Sequence, residues 1–344
     1  FDAYHCSTLT STYPNREYMH SAQSGGITNN VLPPEVGSGA DRPYLHGFTW
    51  DTIWDRLQTV GNMIPGKDAA YFFVDLPAIA LWGERMIPFA QHIEDYFARA
   101  ASGTLPRVVF LDPGFTTGLR TDDHPYADIR AGQKLVTDLV KAFVDSPHWG
   151  RGAFFITYDE WGGFFDHVAP PTLPDNLAGY TPPGLNPPGF EQAGFRVPTI
   201  MVSPHCQKGT VDHHLYDHTS ILRFIEWRYL GAPAETTTSY TDPDSLPSWA
   251  LTLRDANAFN IGASLVAGSD PDFETPLLPE VPVTSLPCEG EELEGTGAPV
   301  SGVPVSSSAL PDLSESHAFE HALNQGFFEQ MGFTIDLRKK VPSL

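Results

Sequence analysis

Between Arg107 and Tyr158 the hydrophobic period of the chain changes twice. VVFL, after Arg107, is a continuous apolar run of strand length that enters the loop DPGF. DIRAGQKLVTDLVKAFV (128–144) places Ile129, Val136, Leu139, Val140 and Phe143 on one helical face. AFFITY (153–158) then returns to strand propensity. VPTIMVS (197–203) reads as a further strand, and DHTSILRFIEWRYL (217–230) as a helix opened by Asp217 or Thr219 and closed by Gly231. Strands alternating with amphipathic helices predict an α/β domain with a largely parallel sheet.

The strand at 153–158 ends on two adjacent carboxylates, Asp159 and Glu160. In open α/β sheets ligands bind in the crevice at the carboxyl ends of strands. Two carboxylates there repel one another unless something positive lies beside them, and a divalent cation is the simplest remedy. Gly162 and Gly163 permit a tight turn, after which Asp166 and His167 return towards the same place. An acidic surface turn would explain Asp-Glu alone. The whole order, strand, DE, GG, DH, favours a site.

Two further stretches carry chemistry. In TSTYPNREYMHS (10–21), Thr12 has a hydroxyl that a metal could activate as a nucleophile. The same residues also read as a helix start, with Thr12 or Asn15 as cap and Pro14 in the first turn. The two readings are compatible, because helix N-termini present N–H groups to phosphate. In TDDHPYADIRAGQ (121–133), His124 precedes the amphipathic helix and is a candidate for the phosphate side of a site.

The chain has 344 residues with 20 basic against 42 acidic side chains, a net charge of −22. Such a chain repels nucleic-acid backbones. It has no apolar run of about 18 residues that would read as a membrane span. It starts at Phe1, so a preceding segment is expected to have been removed or left out, and a secreted or periplasmic location is expected. Cys6, Cys206 and Cys288 allow at most one internal disulfide. The Pro/Gly-rich loop at 169–196 is long enough for a lid or a rim. The composition shifts after residue 263, which divides the chain into a catalytic domain over 1–262 and a Pro/Ser/acid-rich wrap over 263–344, with an amphipathic helix at 315–331.

STYPNREYMHSAQSG (11–25), TLPRVVFLDPGF (104–115), DDHPYADIRAGQKLV (122–136), FFITYDEWGGFFDHVAPP (154–171), FRVPTIMVSPHCQKGTV (195–211) and YDHTSILRFIEWRYLG (216–231) occur in this order. Together they resemble the phosphoesterase family of bacterial non-specific phospholipases C and acid phosphatases, in the alkaline phosphatase superfamily. The resemblance implies a three-layer α/β/α sandwich and metal-dependent hydrolysis of phosphoric esters through a phospho-threonine. It implies Thr12 as nucleophile and Asp159, Glu160 and the Thr12 oxygen around a divalent ion, with calcium, magnesium, manganese, iron or zinc as candidates. His124 and His167 would line the phosphate pocket, while Asn15 and His218 would join them in binding substrate. For His218, a backbone hydrogen bond at the helix N-terminus is an equal reading. The substrate would be a soluble monoester or a phospholipid, the latter with peripheral membrane contact.

One departure stands out. The family's early motif carries a Glu-Asn pair of the metal site, and no Glu-Asn pair occurs in these 344 residues. The expectation is a chain without the family's first N-terminal strand, with His46, His20 or Asp112 as substitutes in the metal shell. Two rivals follow: a non-catalytic or impaired member that binds phosphate or another ligand, and a sulfate-ester hydrolase. The second is disfavoured because Thr12 stands where a sulfatase needs a Cys or Ser.

Overall fold

The computed structural model describes residues 1–33, 47–116, 120–124, 127–180, 189–265, 270–281 and 326–335. Three strands, β1 (Ala69–Phe73), β2 (Ala90–His92) and β3 (Val108–Asp112), form a parallel sheet in the order β2-β1-β3. Parallel pairing requires crossovers, and helix α3 (Ile93–Ser102) supplies the one from β2 to β3.

The central strand shows why helices must lie on both sides. Its residues alternate between two cores. Ala69, Tyr71 and Phe73 face a large core built with α1 (Thr12–Ser21), α2 (Ile53–Thr59) and α5 (His218–Tyr229). Ala70 and Phe72 face a second core with Ile93 and Tyr96 of α3 and Leu135 and Leu139 of α4 (Ile129–Val144). This is the expected three-layer α/β/α arrangement. β1 itself was not among the predicted strands.

Strands β4 (Phe154–Thr157) and β5 (Thr199–Val202) lie within the predicted segments. They depart from the parallel expectation by pairing antiparallel, as a separate two-stranded sheet. The cause is their connection. Among the described residues no helix lies between them, and the connection returns the chain in the opposite direction. Its described parts are tied down, with Leu173 N–H donating to Glu191 O at 2.7 Å and Ala193 N–H to Pro171 O at 3.0 Å. Val140, Phe143 and Val144 of α4 cover one side of this pair through Phe154 and Ile156. Phe155 turns to the other side, against Phe224 of α5.

Helix α4 buries Leu139, Val140 and Phe143 as predicted, whereas Ile129, its first residue, is 61% exposed. α6 (Leu253–Asn257) packs against α5. Residues 315–325 of the predicted C-terminal helix lie outside the described residues. Within them, α7 (Phe327–Gln330) puts Phe327, Phe328, Met331 and Phe333 into the large core beside α1 and α5. Cys6 and Cys206 are free thiols, and Cys288 lies outside the described residues. Among the described residues no helix is long and apolar enough to cross a membrane.

Candidate active site

Acidic residues gather where the strands end. Asp112 closes β3, Asp75 follows β1 by two positions, and Asp159 follows β4 by two. Asp75 braces the neighbouring loop by accepting the N–H groups of Phe115, at 2.9 Å, and Thr116, at 2.8 Å. Asp112 accepts from Ala78 N–H at 3.1 Å and from the Tyr71 hydroxyl.

The residue that joins these ends is Arg16, which the sequence reading did not single out. Its Nη1 donates to Asp112 at 2.6 Å and its Nε to Asp159 at 2.9 Å, and its guanidinium lies 5.0 Å from the centre of the Phe115 ring. Burial works against the charge, but Asp112 and Asp159 outweigh it and hold the Arg16 pKa above its ordinary value. Thr12, Arg16 and His20 are spaced by four on α1 and so share one face. That face is thereby fastened across the ends of β3 and β4.

Thr12 sits at the first turn of α1, half-buried, and its hydroxyl has no hydrogen-bond partner among the described residues. Asn15 is committed to shaping the loop before it. Its Oδ1 accepts from Thr8 N–H at 3.0 Å, and its Nδ2 donates to the carbonyls of Thr8, Thr10 and Ser11 at 3.0–3.2 Å. Asn15 therefore fixes where Thr12 is held, and its side chain points into its own loop.

Asp159 leaves its second oxygen to its own turn, accepting from Glu160 N–H at 3.2 Å. Glu160 Oε2 accepts from Gly162 N–H at 2.8 Å. Burial first, then the Asp159 charge, pushes the Glu160 carboxyl up to about 7. This group can thus hold or release a proton near neutrality. His218 Nε2 donates to the Asp159 carbonyl at 2.7 Å, and its Nδ1 lies 3.2 Å from the Tyr4 hydroxyl. Burial lowers its pKa. A neutral ring protonated on Nε2 satisfies both contacts, so His218 acts on the backbone of Asp159.

The loop carrying His124 is tethered to the end of β4. The Tyr158 hydroxyl donates to Asp123 Oδ2 at 2.8 Å. Gly132 of α4 makes room for this loop, because a Cβ there would lie 1.9 Å from Asp123 Oδ1. His167 is placed differently. Its side chain is 86% exposed and approaches Asp166 at 3.4 Å, while Arg196 grips Asp166 with two bonds of 2.7 and 2.9 Å. The Gly162-Gly163 turn carries this histidine to the rim.

The donors expected around a divalent ion were Asp159, Glu160 and Thr12. Asp159 is paired with Arg16, and Glu160 accepts from Gly162 N–H. Among the described residues no group of three His, Cys, Asp or Glu side chains is arranged to hold a metal. Of the candidate substitutes, Asp112 is bonded as above and His46 lies outside the described residues. His20 is enclosed by the rings of Trp54, Tyr71, Trp82 and Phe110, and burial, then Arg16, drives its pKa down to about 3.

The sequence is similar to those of known proteins. Non-specific phospholipase C1 of Arabidopsis thaliana is 32% identical over 304 residues, covering 85% of this chain and 53% of that protein. Non-specific phospholipase C6 of the same plant is 34% identical over 238 residues, covering 64% and 43%. Phospholipase C B of Mycobacterium tuberculosis is 29% identical over 267 residues, covering 70% and 50%. The chain spans about half the length of the curated relatives it matches. A model of the phosphoesterase family matches residues 1–230, which include the face of α1, the three strand ends and His218. The chain belongs to the phosphoesterase family.

Proposed function

We propose that this chain hydrolyses phosphoric esters, with a phospholipid as substrate and Thr12 as nucleophile. The observation that carries this reading is the Thr12 hydroxyl, without a hydrogen-bond partner among the described residues, at a helix N-terminus and one turn from an arginine that ties that helix to two strand-end carboxylates. The helix dipole favours a phosphate there, although Tyr13 N–H is already given to Asn30 at 2.8 Å and Pro14 carries no N–H. Attack forms the bond from Thr12 Oγ to phosphorus and breaks the bond to the departing oxygen. The hydroxyl proton leaves with the departing alcohol, with His124 as the proposed carrier. Water then cleaves the phospho-threonine and restores the hydroxyl.

His167 meets only a substrate that lies over the rim. Metal dependence is proposed on the Asp159–Glu160 pair, and no step is assigned to the ion. That its relatives are phospholipases C supports a phospholipid as substrate. A secreted or periplasmic location is proposed alongside.

One observation favours the non-catalytic reading: Arg16 is seated on Asp159, the carboxylate expected to hold the ion. The test is turnover of p-nitrophenyl phosphate and p-nitrophenyl phosphorylcholine. Each reaction is run with chelator and with added calcium, magnesium, manganese, iron or zinc. Turnover in any arm, lost in Thr12→Ala, supports the hydrolase. Phosphate binding without turnover in every arm supports the ligand-binding rival.

A further inference from the structure

The turn after Glu160 points two aromatic rings at solvent. Phe164 is 76% and Phe165 86% exposed. They are not on a loose tail. Gly162 and Gly163 hold positive φ angles of 66° and 75°, a conformation that side-chain-bearing residues rarely adopt. Phe164 N–H closes the turn on Trp161 O at 3.2 Å, and Gly162 N–H is bonded to Glu160. Below the tip, Trp161 and Phe165 both pack edge-on against Phe195, at 5.8 and 6.2 Å between ring centres. Beyond it, Arg196 neutralises Asp166. The result is an anchored tip with two exposed rings, whose adjacent carboxylate is already paired, continuous with the candidate active site.

We propose that Phe164 and Phe165 dock the protein on the surface of a zwitterionic phospholipid membrane, bringing the candidate site to its substrate; this rests on the phospholipid reading above. Aromatic rings settle at the boundary between headgroups and acyl chains. The charge of the chain, −22, selects among lipids, because an anionic surface repels it.

The experiment is co-sedimentation with phosphatidylcholine vesicles, with phosphatidylglycerol vesicles as the anionic comparison. Alongside it, turnover is measured on soluble p-nitrophenyl phosphorylcholine. The wild-type chain is expected to favour phosphatidylcholine. Phe164→Ser with Phe165→Ser should lower its vesicle partition at least about tenfold, and Phe164→Trp with Phe165→Trp should retain it. Soluble turnover should be the same in all three proteins. Should the double serine variant melt early, Phe165→Ser alone repeats the comparison with a smaller loss. Equal partition of the serine variant and wild type overturns the proposal. So does absence of wild-type binding to phosphatidylcholine, which would leave the rings to a protein contact. Vesicle binding that needs the phenylalanines, without soluble turnover, upholds docking and sinks the hydrolase reading. Soluble turnover without vesicle binding does the reverse.

Discussion

Arg16 and Arg254 do the same chemical thing in two places: each bridges two aspartates. Arg254 bonds Asp217 at 3.1 Å and Asp175 at 3.2 Å, and its head lies 5.1 Å from the centre of the Tyr18 ring. Its partners are themselves engaged, Asp175 by the Tyr18 hydroxyl at 2.7 Å and Asp217 by the Ser7 hydroxyl at 2.9 Å and by capping α5. All three charged side chains of that cluster are 2–3% exposed. The Arg16 cluster opens outward, with Asp159 20% exposed and, one turn away, a hydroxyl that has no partner among the described residues. A buried, closely bonded cluster serves as an anchor, here joining α6, the cap of α5 and the stem of the 172–193 loop. A similar cluster at strand ends, with hydrogen-bonding capacity left over, can meet a ligand.

The largest effect expected from this contrast is at the anchor. Arg254→Met leaves Asp175 and Asp217 buried without their cation and should cost about 3–5 kcal/mol of stability. Urea denaturation measures it, and a loss below about 1 kcal/mol would remove the anchor from the comparison. Arg16→Gln should cost less, about 1–3 kcal/mol, because Asp159 can hydrate. It should also abolish turnover, since α1 loses its hold on the strand ends. If Arg16→Gln matches Arg254→Met in stability and still turns over ester, the two clusters are alike and the distinction fails.

A smaller effect depends on pH. Burial and Asp159 lift Glu160 from 4.5 to about 7. Between those values the folded chain keeps a proton that the unfolded chain has released. The contribution of Glu160 to stability therefore falls as pH rises from about 4.5 to about 7, and it is constant below and above that window. Glu160→Gln keeps the size of the neutral form and removes the penalty. In chelator, the variant should gain about 1–2 kcal/mol over wild type between pH 4 and pH 8, a figure below the full shift because the carboxyl is partly hydrated. Urea midpoints at the two pH values decide it, and a gain confined to low pH would contradict the assignment.

What the sequence showed of this arrangement follows from range. α4 and α5 were legible because their apolar spacing is long and Asp217 caps α5. The Asp159-Glu160 pair was legible because strand propensity runs straight into it. Arg16 shares a helix face with Thr12, a local fact, but its partners lie 96 and 143 residues away and only the fold brings them in. His167 was legible from the DH that follows the glycines, while its exposure, 86%, and the hold of Arg196 on the neighbouring Asp166 depend on residues far along the chain. Asn15 and His218 lie beside the site in sequence and in space, and their hydrogen bonds go to the backbone of Thr8, Thr10, Ser11 and Asp159.

The smallest effect on stability is expected at Thr12, where Thr12→Ala should change unfolding free energy by no more than about 0.5 kcal/mol, because the hydroxyl bonds nothing among the described residues. That makes it the cleanest place to ask what the site does. Acid-quenching the wild-type chain during turnover of p-nitrophenyl phosphate, then mapping peptides by mass spectrometry, reads the intermediate directly. One phosphoryl group on the peptide containing Thr12, absent from a folded Thr12→Ala variant that no longer turns over, is the predicted result. Undiminished turnover in Thr12→Ala, or phosphate trapped on a different residue, would contradict it.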